Sequence, residues 1–382
     1  MAGQATEARL MRIQIVISEM NMGGAQRVTA HLAGAWARRN SAVEIVTIGP
    51  ADHDFYSVPP NVGRYALDLR EDSSNVLGAS FANMRRVVAI RRRIREFKPD
   101  VVIGMMTSCS ALVAFASLGL SCKSVGSERG YPPRQATSLY WQLARFIASR
   151  FLDLHIAQTP EIAKWLTRKT CAKHIKVIPN LLEWPAPQNS PELKPDAICA
   201  PDRKVLLSAG RFTEGKGYPY LIRAFSTLAG RHSNWDLVIL GDGDEHGAVS
   251  RLVWHLGLQD RVHLPGAAGN MHAWYARSSL FAMTSLHEGF PNVLLEAMAS
   301  GLPVVSFDCD VGPRNIIRNG VDGILVPVAD GESLIAALDL LMGSEEERRR
   351  CGGRATEAKD RFGETTILAQ WDDALRSVMG LA

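Results

Sequence analysis

The sequence predicts an α/β protein built as two Rossmann-like domains, each a parallel sheet with helices on both faces. Three observations carry this. Short apolar runs of strand length alternate with helical stretches along the chain, the pattern of repeated βαβ units. The alternation breaks once, from Pro179 to Pro201, a stretch that also holds Pro185, Pro187, Pro191 and Pro195 and reads as a linker. The 382 residues suffice for two domains of ordinary size. The domains are expected at residues 1–185 and 200–362.

Composition narrows the class. Hydrophobic residues make up 46% of the chain, which excludes a disordered protein. No apolar run reaches the roughly 18 residues of a membrane span. Met1 to Leu10 is polar and lacks the apolar core of a secretory signal, so a cytoplasmic protein is expected. The cysteines (Cys109, Cys122, Cys171, Cys199, Cys309, Cys351) are scattered without a C-x-x-C pair and read as reduced structural thiols rather than a zinc site. Residues 1–190 hold 24 Lys and Arg against 14 Asp and Glu, whereas the remainder holds 19 against 25. A basic first half points to an anionic partner there, a phosphorylated acceptor or an anionic membrane.

Met11 to Ser18 reads as the first buried strand, followed by a glycine turn and a helix to Arg39. Strand, glycine turn and helix start form a phosphate-cradling arrangement at Gly23 and Gly24, although an ordinary βα loop has the same look. The G-x-G-x-x-G dinucleotide fingerprint is absent. Val43 to Ile48 is a second strand, and Asp52 to Asp72 is loop with a short strand at Arg64 to Leu67. Phe81 to Phe97 is a helix with Arg85, Arg86, Arg91, Arg92, Arg93 and Arg95. A solvated outer face and contact with anionic headgroups are both consistent with it. Pro99 to Gly104 is a strand, a helix runs to Leu118, and Lys123 to Ser127 is a further strand. It ends at Glu128 and Arg129, where α/β sheets carry ligands; an acceptor role stands beside a plain solvated pair. In the helix Ala136 to Phe151, the face of Leu139, Leu143, Phe146, Ile147 and Phe151 is expected in the core. Tyr140, Trp141, Arg145 and Arg150 are left for a membrane interface or a lipid-linked acceptor. Short strands at Leu154 to Ala157 and Ile175 to Ile178 flank a helix from Pro160 to Thr170.

In the second half, strand Lys204 to Ala209 runs into Gly210-Arg-Phe-Thr-Glu-Gly-Lys-Gly217 and a helix from Tyr218. Arg211 can fork onto phosphate oxygens and Lys216 can supply a point charge. Trp235 to Leu240 is a strand ending in Asp242 and Asp244, a D-x-D spacing that recurs at Asp52/Asp54 and Asp308/Asp310 and reads as turn chemistry. Strands Val262 to Pro265 and Leu280 to Thr284 enclose a helix at Met271 to Arg277. Then comes Ser285 to Gly301, which holds Glu288 and Glu296 with seven residues between them. Pro291 suits the first helical position, and Gly301 marks the end. The helix start offers open N–H groups to an anion, with a carboxylate on each side. Carboxylates accept hydrogen bonds from sugar hydroxyls. A diphosphate with a sugar at either end, a nucleotide-sugar, uses all three features. For either glutamate alone, a solvated acid is the simpler account. Val293, Leu294, Ala297 and Met298 place the packing face elsewhere on that helix. A strand at Leu302 to Phe307, another at Gly323 to Val326, and helices at 331–342, 344–359 and 363–379 complete the chain.

Glu288-Gly-Phe-Pro-Asn-Val-Leu-Leu-Glu296-Ala-Met-Ala-Ser-Gly-Leu-Pro-Val-Val resembles the E-x7-E signature of the large retaining glycosyltransferase family 4, which has the GT-B fold. The resemblance covers nearly all of the second domain and, more weakly, the first. It implies two domains facing a cleft, with a final helix, about 363–382, crossing back to the first. It implies that Gly23, Gly24 and Arg27 let phosphates approach the backbone, and that Gly210, Arg211 and Lys216 bind the donor diphosphate. It further implies that the backbone from His263 to Gly266 lies beside the nucleobase. Backbone from Gly289 through Phe290, Pro291 and Asn292 to Val293 would bind phosphate and sugar. Glu288 would take donor-sugar hydroxyls and Glu296 the ribose. The family often has a histidine where this chain has Glu128-Arg129, so that role does not transfer. The second acid of a double-displacement mechanism is not evident.

The first-domain pattern, with Gly23-Gly-Ala-Gln-Arg27 and Ser127-Glu-Arg129, resembles N-acetylhexosamine transferases that build lipid-linked glycans, so the resemblance implies retaining transfer of an N-acetylhexosamine from a UDP-sugar. The acceptor would be a glycan or a polyprenyl-diphosphate-linked sugar at the inner face of the cytoplasmic membrane. Arg211 and Lys216 are permanent cations, so no metal is expected, and no nucleic acid. A UDP-sugar 2-epimerase of the same fold and a non-catalytic nucleotide-sugar binder are the alternatives.

Overall fold

A computed structural model describes residues 11–21, 23–52, 54–70, 76–135, 137–186 and 188–381. The polar start Met1 to Leu10, the loop end at Asp72, Ala136 and Pro187 lie outside the described residues. The chain divides into two compact units, Met1–Leu181 with Glu364–Ala382, and Leu182–Gly363.

The first unit is a seven-stranded sheet of β1 (Arg12–Ile17), β2 (Ala42–Thr47), β3 (Val62–Ala66), β4 (Val101–Met105), β5 (Lys123–Glu128), β6 (Leu154–Ala157) and β7 (Ile175–Val177). Their order is β3-β2-β1-β4-β5-β6-β7, and the pairings are parallel. Helices α1 (Gly24–Arg38), α2 (Val76–Phe97), α3 (Met106–Ala116), α4 (Leu139–Ala148) and α5 (Pro160–Lys169) make the crossovers. β1, β4 and β6 are buried almost end to end, as strands covered on both faces must be.

The second unit holds β8 (Lys204–Ala209), β9 (Trp235–Leu240), β10 (Val262–Gly266), β11 (Leu280–Met283), β12 (Val304–Phe307) and β13 (Ile324–Val326), in the order β10-β9-β8-β11-β12-β13 and again parallel. Around it lie α6 (Tyr218–Leu228), α7 (His246–His255), α8 (Met271–Arg277), α9 (Asn292–Ala299), α10 (Pro313–Ile316), α11 (Gly331–Gly343), α12 (Glu345–Ala355) and α13 (Ala358–Phe362). Trp235, Phe212, Phe225 and Phe307 fill its core. The last helix, α14 (Glu364–Met379), belongs to the first unit. Trp371 meets Trp36 edge-on at 5.7 Å, Asp372 accepts from Trp36 Nε1 at 3.0 Å, and Glu364 pairs with His31 and Arg38.

These are the two parallel-sheet, Rossmann-like domains that the alternation predicts. Four details differ. The helix α7 has no counterpart in the sequence reading, and α2 begins at Val76 rather than Phe81. The single helix expected over 344–359 is two, broken where Arg318 binds Glu357 at 2.8 Å. The proline-rich stretch is no free linker: Leu193 exchanges hydrogen bonds with Asn270, and Arg277 holds both Asp196 and the carbonyl of Ala200. The fourth is a correction to α4. Leu139, Leu143, Phe146, Ile147 and Phe151 face outward, while Arg145 is buried, Trp141 packs inward and Tyr140 bonds Asn83. Periodicity gave the stripe but not its direction, because the inward side is set by α3 and by buried Glu128, an ion partner of Arg145 at 3.9 Å.

Both sheets reverse strand order between their first and fourth strands, β1/β4 and β8/β11. The crevice beyond the carboxyl ends at such a switch point is where open α/β sheets take ligands.

Candidate functional site

At the switch point of the second unit, two loops meet, one after β8 and one after β11. The Gly210–Gly217 loop turns through a short 3-10 segment, Glu214–Lys216, and ends at Gly217 with φ 61°. Gly217 is required twice over: the left-handed backbone excludes most side chains, and a Cβ would stand 2.2 Å from the carbonyl oxygen of Thr284. Leu286 N–H donates to the Gly215 carbonyl at 2.8 Å, and Thr284 Oγ1 donates to that of Lys216 at 3.2 Å. The loops are thereby sewn together, and Lys216 Nζ reaches Glu288 Oε1 at 2.6 Å. Tyr218, buried at the start of α6, donates its hydroxyl to the Gly210 carbonyl at 3.0 Å, and burial pushes its pKa up. Arg211 leaves the end of β8 on the exposed side.

A third loop closes the same edge. Gly241 N–H donates to Gly266, Gly210 N–H to Leu240 and Phe212 N–H to Asp242. Asp242 caps the neighbouring Gly243 N–H at 2.8 Å, as expected of turn chemistry. Gly266 ends β10 at this edge. His263 does not: it sits near the start of β10, its Nε2 3.7 Å from Asp236 at the start of β9. Its side chain is therefore at the far end of the strand from the loops.

Beyond Glu288, Pro291 forms the cap position and α9 starts at Asn292, one residue later than expected. Phe290 is buried, its ring 5.6 Å from that of Phe362, so only its backbone faces the loop chemistry. Glu296 lies one turn into α9 and is 2% exposed. The packing face does not lie elsewhere, as the sequence suggests. Leu294 to Ala299 are all buried, because β11, β12, α12 and α13 surround the helix. Glu296 Oε2 accepts from the Tyr275 hydroxyl at 3.0 Å. Tyr275 and Tyr218 escaped the sequence reading; nothing local marks a tyrosine whose partner is 21 residues away.

The first unit has its own switch-point edge. Gly23 caps α1, whose first turn carries no acidic side chain, and Gly24 and Arg27 lie in that turn. At the end of β4, Met106 holds φ 68°, a strained conformation for a side chain of its size that no local signal marks. Glu128 and Arg129 close β5 but diverge, as neighbours on a strand must. Glu128 turns inward, accepts from Thr107 Oγ1 at 2.8 Å, and has its pKa raised by burial against the pull of Arg145. Arg129 donates through Nη1 to Asn180 at 2.8 Å and lies 5.7 Å from the Trp371 ring. Its Nε and Nη2 reach neither solvent nor, among the described residues, a hydrogen-bond partner, and burial lowers its pKa to about 10.

Among the described residues, one group has metal-ligand geometry: Cys199, Asp236 and His263, with ligand atoms within 4.8 Å of one another. Asp236 already accepts from Arg203 at 2.6 Å and Arg261 at 3.1 Å, and burial pushes the Cys199 thiol up to about 11. Two fixed guanidinium charges on the only carboxylate make this a poor cation site.

Two parallel doubly wound units, one with a glycine-framed cationic loop against a carboxylate, are the arrangement to be placed among known proteins. Comparison with known proteins identifies the family. Residues 190–358 match the model of glycosyl transferases group 1, and residues 23–181 that of a glycosyl transferase 4-like domain. An uncharacterised glycosyltransferase of Methanocaldococcus jannaschii is 30% identical over 79% of this chain and 86% of its own. An α-1,4-N-acetyl-D-galactosaminyltransferase of Campylobacter jejuni, named for a PP-undecaprenol-linked glycan, is 25% identical over 95% of this chain and 97% of its own. An exopolysaccharide phosphotransferase of Streptomyces coelicolor is 33% identical, but the match spans only 29% of its length. Among solved structures, sucrose-phosphate synthase from Thermosynechococcus elongatus shares the fold at a TM-score of 0.83, 18% identity, and 97% and 100% coverage of the two chains. Anabaena HepE, solved with UDP, does so at 0.78, 20% identity, and 96% and 100% coverage. The chain belongs to the group 1 glycosyl transferases. No helix among the described residues is long and apolar enough to cross a membrane.

Proposed function

We propose that the protein is a retaining family 4 enzyme that moves a sugar, an N-acetylhexosamine, from its UDP donor to a polyprenyl-diphosphate-linked glycan in cell-surface polysaccharide or glycoprotein-glycan assembly. The observation that carries this is the Lys216–Glu288 contact at the switch point of the second unit. It sets a cation for phosphate beside a carboxylate for sugar hydroxyls, at the foot of the α9 N-terminus. The UDP bound to Anabaena HepE and the undecaprenol-linked glycan of the Campylobacter relative support the donor and the acceptor.

In this reading Arg211 and Lys216 hold the diphosphate and offset the charge that grows on the leaving group, with no metal required. Backbone from Gly289 to Val293 binds phosphate and sugar, Gly266 borders the base, and Glu296 binds the ribose. The acceptor oxygen bonds to the anomeric carbon on the face from which the phosphate departs. The C1–O bond to phosphate breaks, and a phosphate oxygen takes the acceptor proton. Gly23, Gly24 and Arg27 serve the acceptor phosphates, Arg129 acts behind them as a buried positioning cation held on Asn180, and Glu128, turned inward on Thr107 and Arg145, is a structural acid. A lipid-borne acceptor makes the protein peripheral on the inner face of the membrane.

The test is a thermal-shift screen against UDP, GDP, ADP and their sugars. A ligand at 100 times its Kd stabilises by about 2.7 kcal/mol. A shift with one UDP-sugar and none with GDP or ADP is expected. No shift with any nucleotide overturns the donor assignment.

A further inference from the structure

We infer that α2 and α4 of the first unit form a docking face for an anionic phospholipid bilayer; the inference rests on the lipid-borne acceptor of the proposed function for its biological sense, though not for its geometry. On α4, Leu139 is 81% exposed and Leu143 61%, with Phe146, Ile147 and then Phe151 continuing the stripe. On α2, Phe81, Met84 and Val88 are each more than 60% exposed, at i, i+3 and i+7. A surface helix normally turns such a stripe inward. Here the inward sides are taken by Asn83, Ile90 and Ile94 on α2, and by Trp141, Arg145 and Ala148 on α4. The two helices are neighbours: Asn83 Nδ2 donates to the Tyr140 hydroxyl at 3.1 Å, and both pack on α3.

Charge selects the occupant. Together α2 and α4 carry seven arginines and one acid, Glu96, which is itself held by Arg92 and Arg93. Arg85, Arg92 and Arg95 are exposed along the same side of α2 as the apolar stripe. Apolar side chains at acyl depth, with arginine stems reaching back to headgroup phosphates, are the composition of an interfacial helix pair. A second copy of the chain fits poorly, because a two-fold contact sets this arginine row against itself.

The experiment is flotation of the full chain with vesicles of phosphatidylglycerol and phosphatidylcholine in equal parts, and with phosphatidylcholine alone, without donor or acceptor. Binding to the anionic vesicles only is expected. The variant Phe81→Ser/Met84→Ser/Leu139→Ser/Leu143→Ser should float about tenfold less. It should also keep the wild-type Tm, since these side chains are mostly exposed, and the wild-type thermal shift with UDP-sugar. Failure of the wild type to float, or undiminished flotation of a folded variant, overturns the docking face. So does a stable dimer in solution that the four substitutions dissociate. Flotation that follows the prediction while UDP-sugar gives no shift keeps the docking face and removes the donor reading instead.

Discussion

Lys216 and Glu288 are partly buried partners 2.6 Å apart, so each is tested with the other in place. Lys216→Ala should lower kcat by about 10²–10³-fold, the range for removing one preorganised charge. Lys216→Arg should recover part of that loss, which a merely structural lysine would not require; initial rates at saturating donor decide it. Arg129 shows the opposite economy. Two of its nitrogens are buried without partners among the described residues, so Arg129→Met should leave stability within about 1 kcal/mol of wild type, because the lost bond to Asn180 is offset by the relief of unpaired donors. The KM for acceptor should nonetheless rise, and an unchanged KM removes Arg129 from the acceptor site. His155 offers a pH readout. It is buried, its Nδ1 has no partner among the described residues, and desolvation lowers its pKa to about 4 from 6.5. The folded state thus prefers the neutral ring, while the unfolded chain takes up a proton below pH 6.5. The stability due to this group is complete above pH 6.5 and is lost as pH falls toward 4, by an amount on the order of 3 kcal/mol. Urea midpoints should fall over that interval in the wild type and fall less in His155→Leu.

At the scale of elements, the site depends on loops held at strand ends rather than on any one helix. Gly217 sits where the β8 loop touches the segment after β11, with φ 61° and no room for a Cβ. Gly217→Ala should cost more than about 2 kcal/mol, since strain and a clash with backbone add. It should also lower activity by moving Lys216 off Glu288. Denaturation midpoints and kcat measured on the same preparations check both, and a stable, inactive variant would assign the glycine to catalysis alone. The helix α4 shows how an element's period and its orientation separate. Its stripe is regular, yet the inward face is the one whose arginine finds Glu128 and whose tryptophan packs against the buried cluster that α3 helps to build.

At the scale of the molecule, the chain's end completes its beginning. α14 brings Trp371 against Trp36, and Asp372 and Glu364 against four basic or indole partners on α1 and its C-terminal cap, Trp36, Arg39, His31 and Arg38. Trp371 is fully buried, so Trp371→Ala should destabilise by about 3–5 kcal/mol. Because α14 belongs to the first unit, the loss should appear there, leaving the UDP-sugar shift of the second unit intact below the new Tm; a lost shift at low temperature would contradict this division. The charge asymmetry of the sequence has a similar logic, since the arginine-rich helix α2 lies in the first unit while the second carries the acidic surplus.

The strand and helix alternation, the phosphate loop after β8 and the Glu288–Glu296 segment were all legible in the sequence. Each is local information: hydrophobic period, glycine and proline placement, and motif spacing within a few turns of chain. Tertiary structure alone decided that Lys216 meets Glu288 across 72 residues and that Glu296 is buried on Tyr275. It also turned Glu128 away from Arg129, set His263 at the far end of its strand and aimed the apolar stripe of α4 outward. The physical reason is common to them. Periodicity says that two faces of an element differ, but which face is buried depends on the neighbour that arrives from elsewhere in the chain.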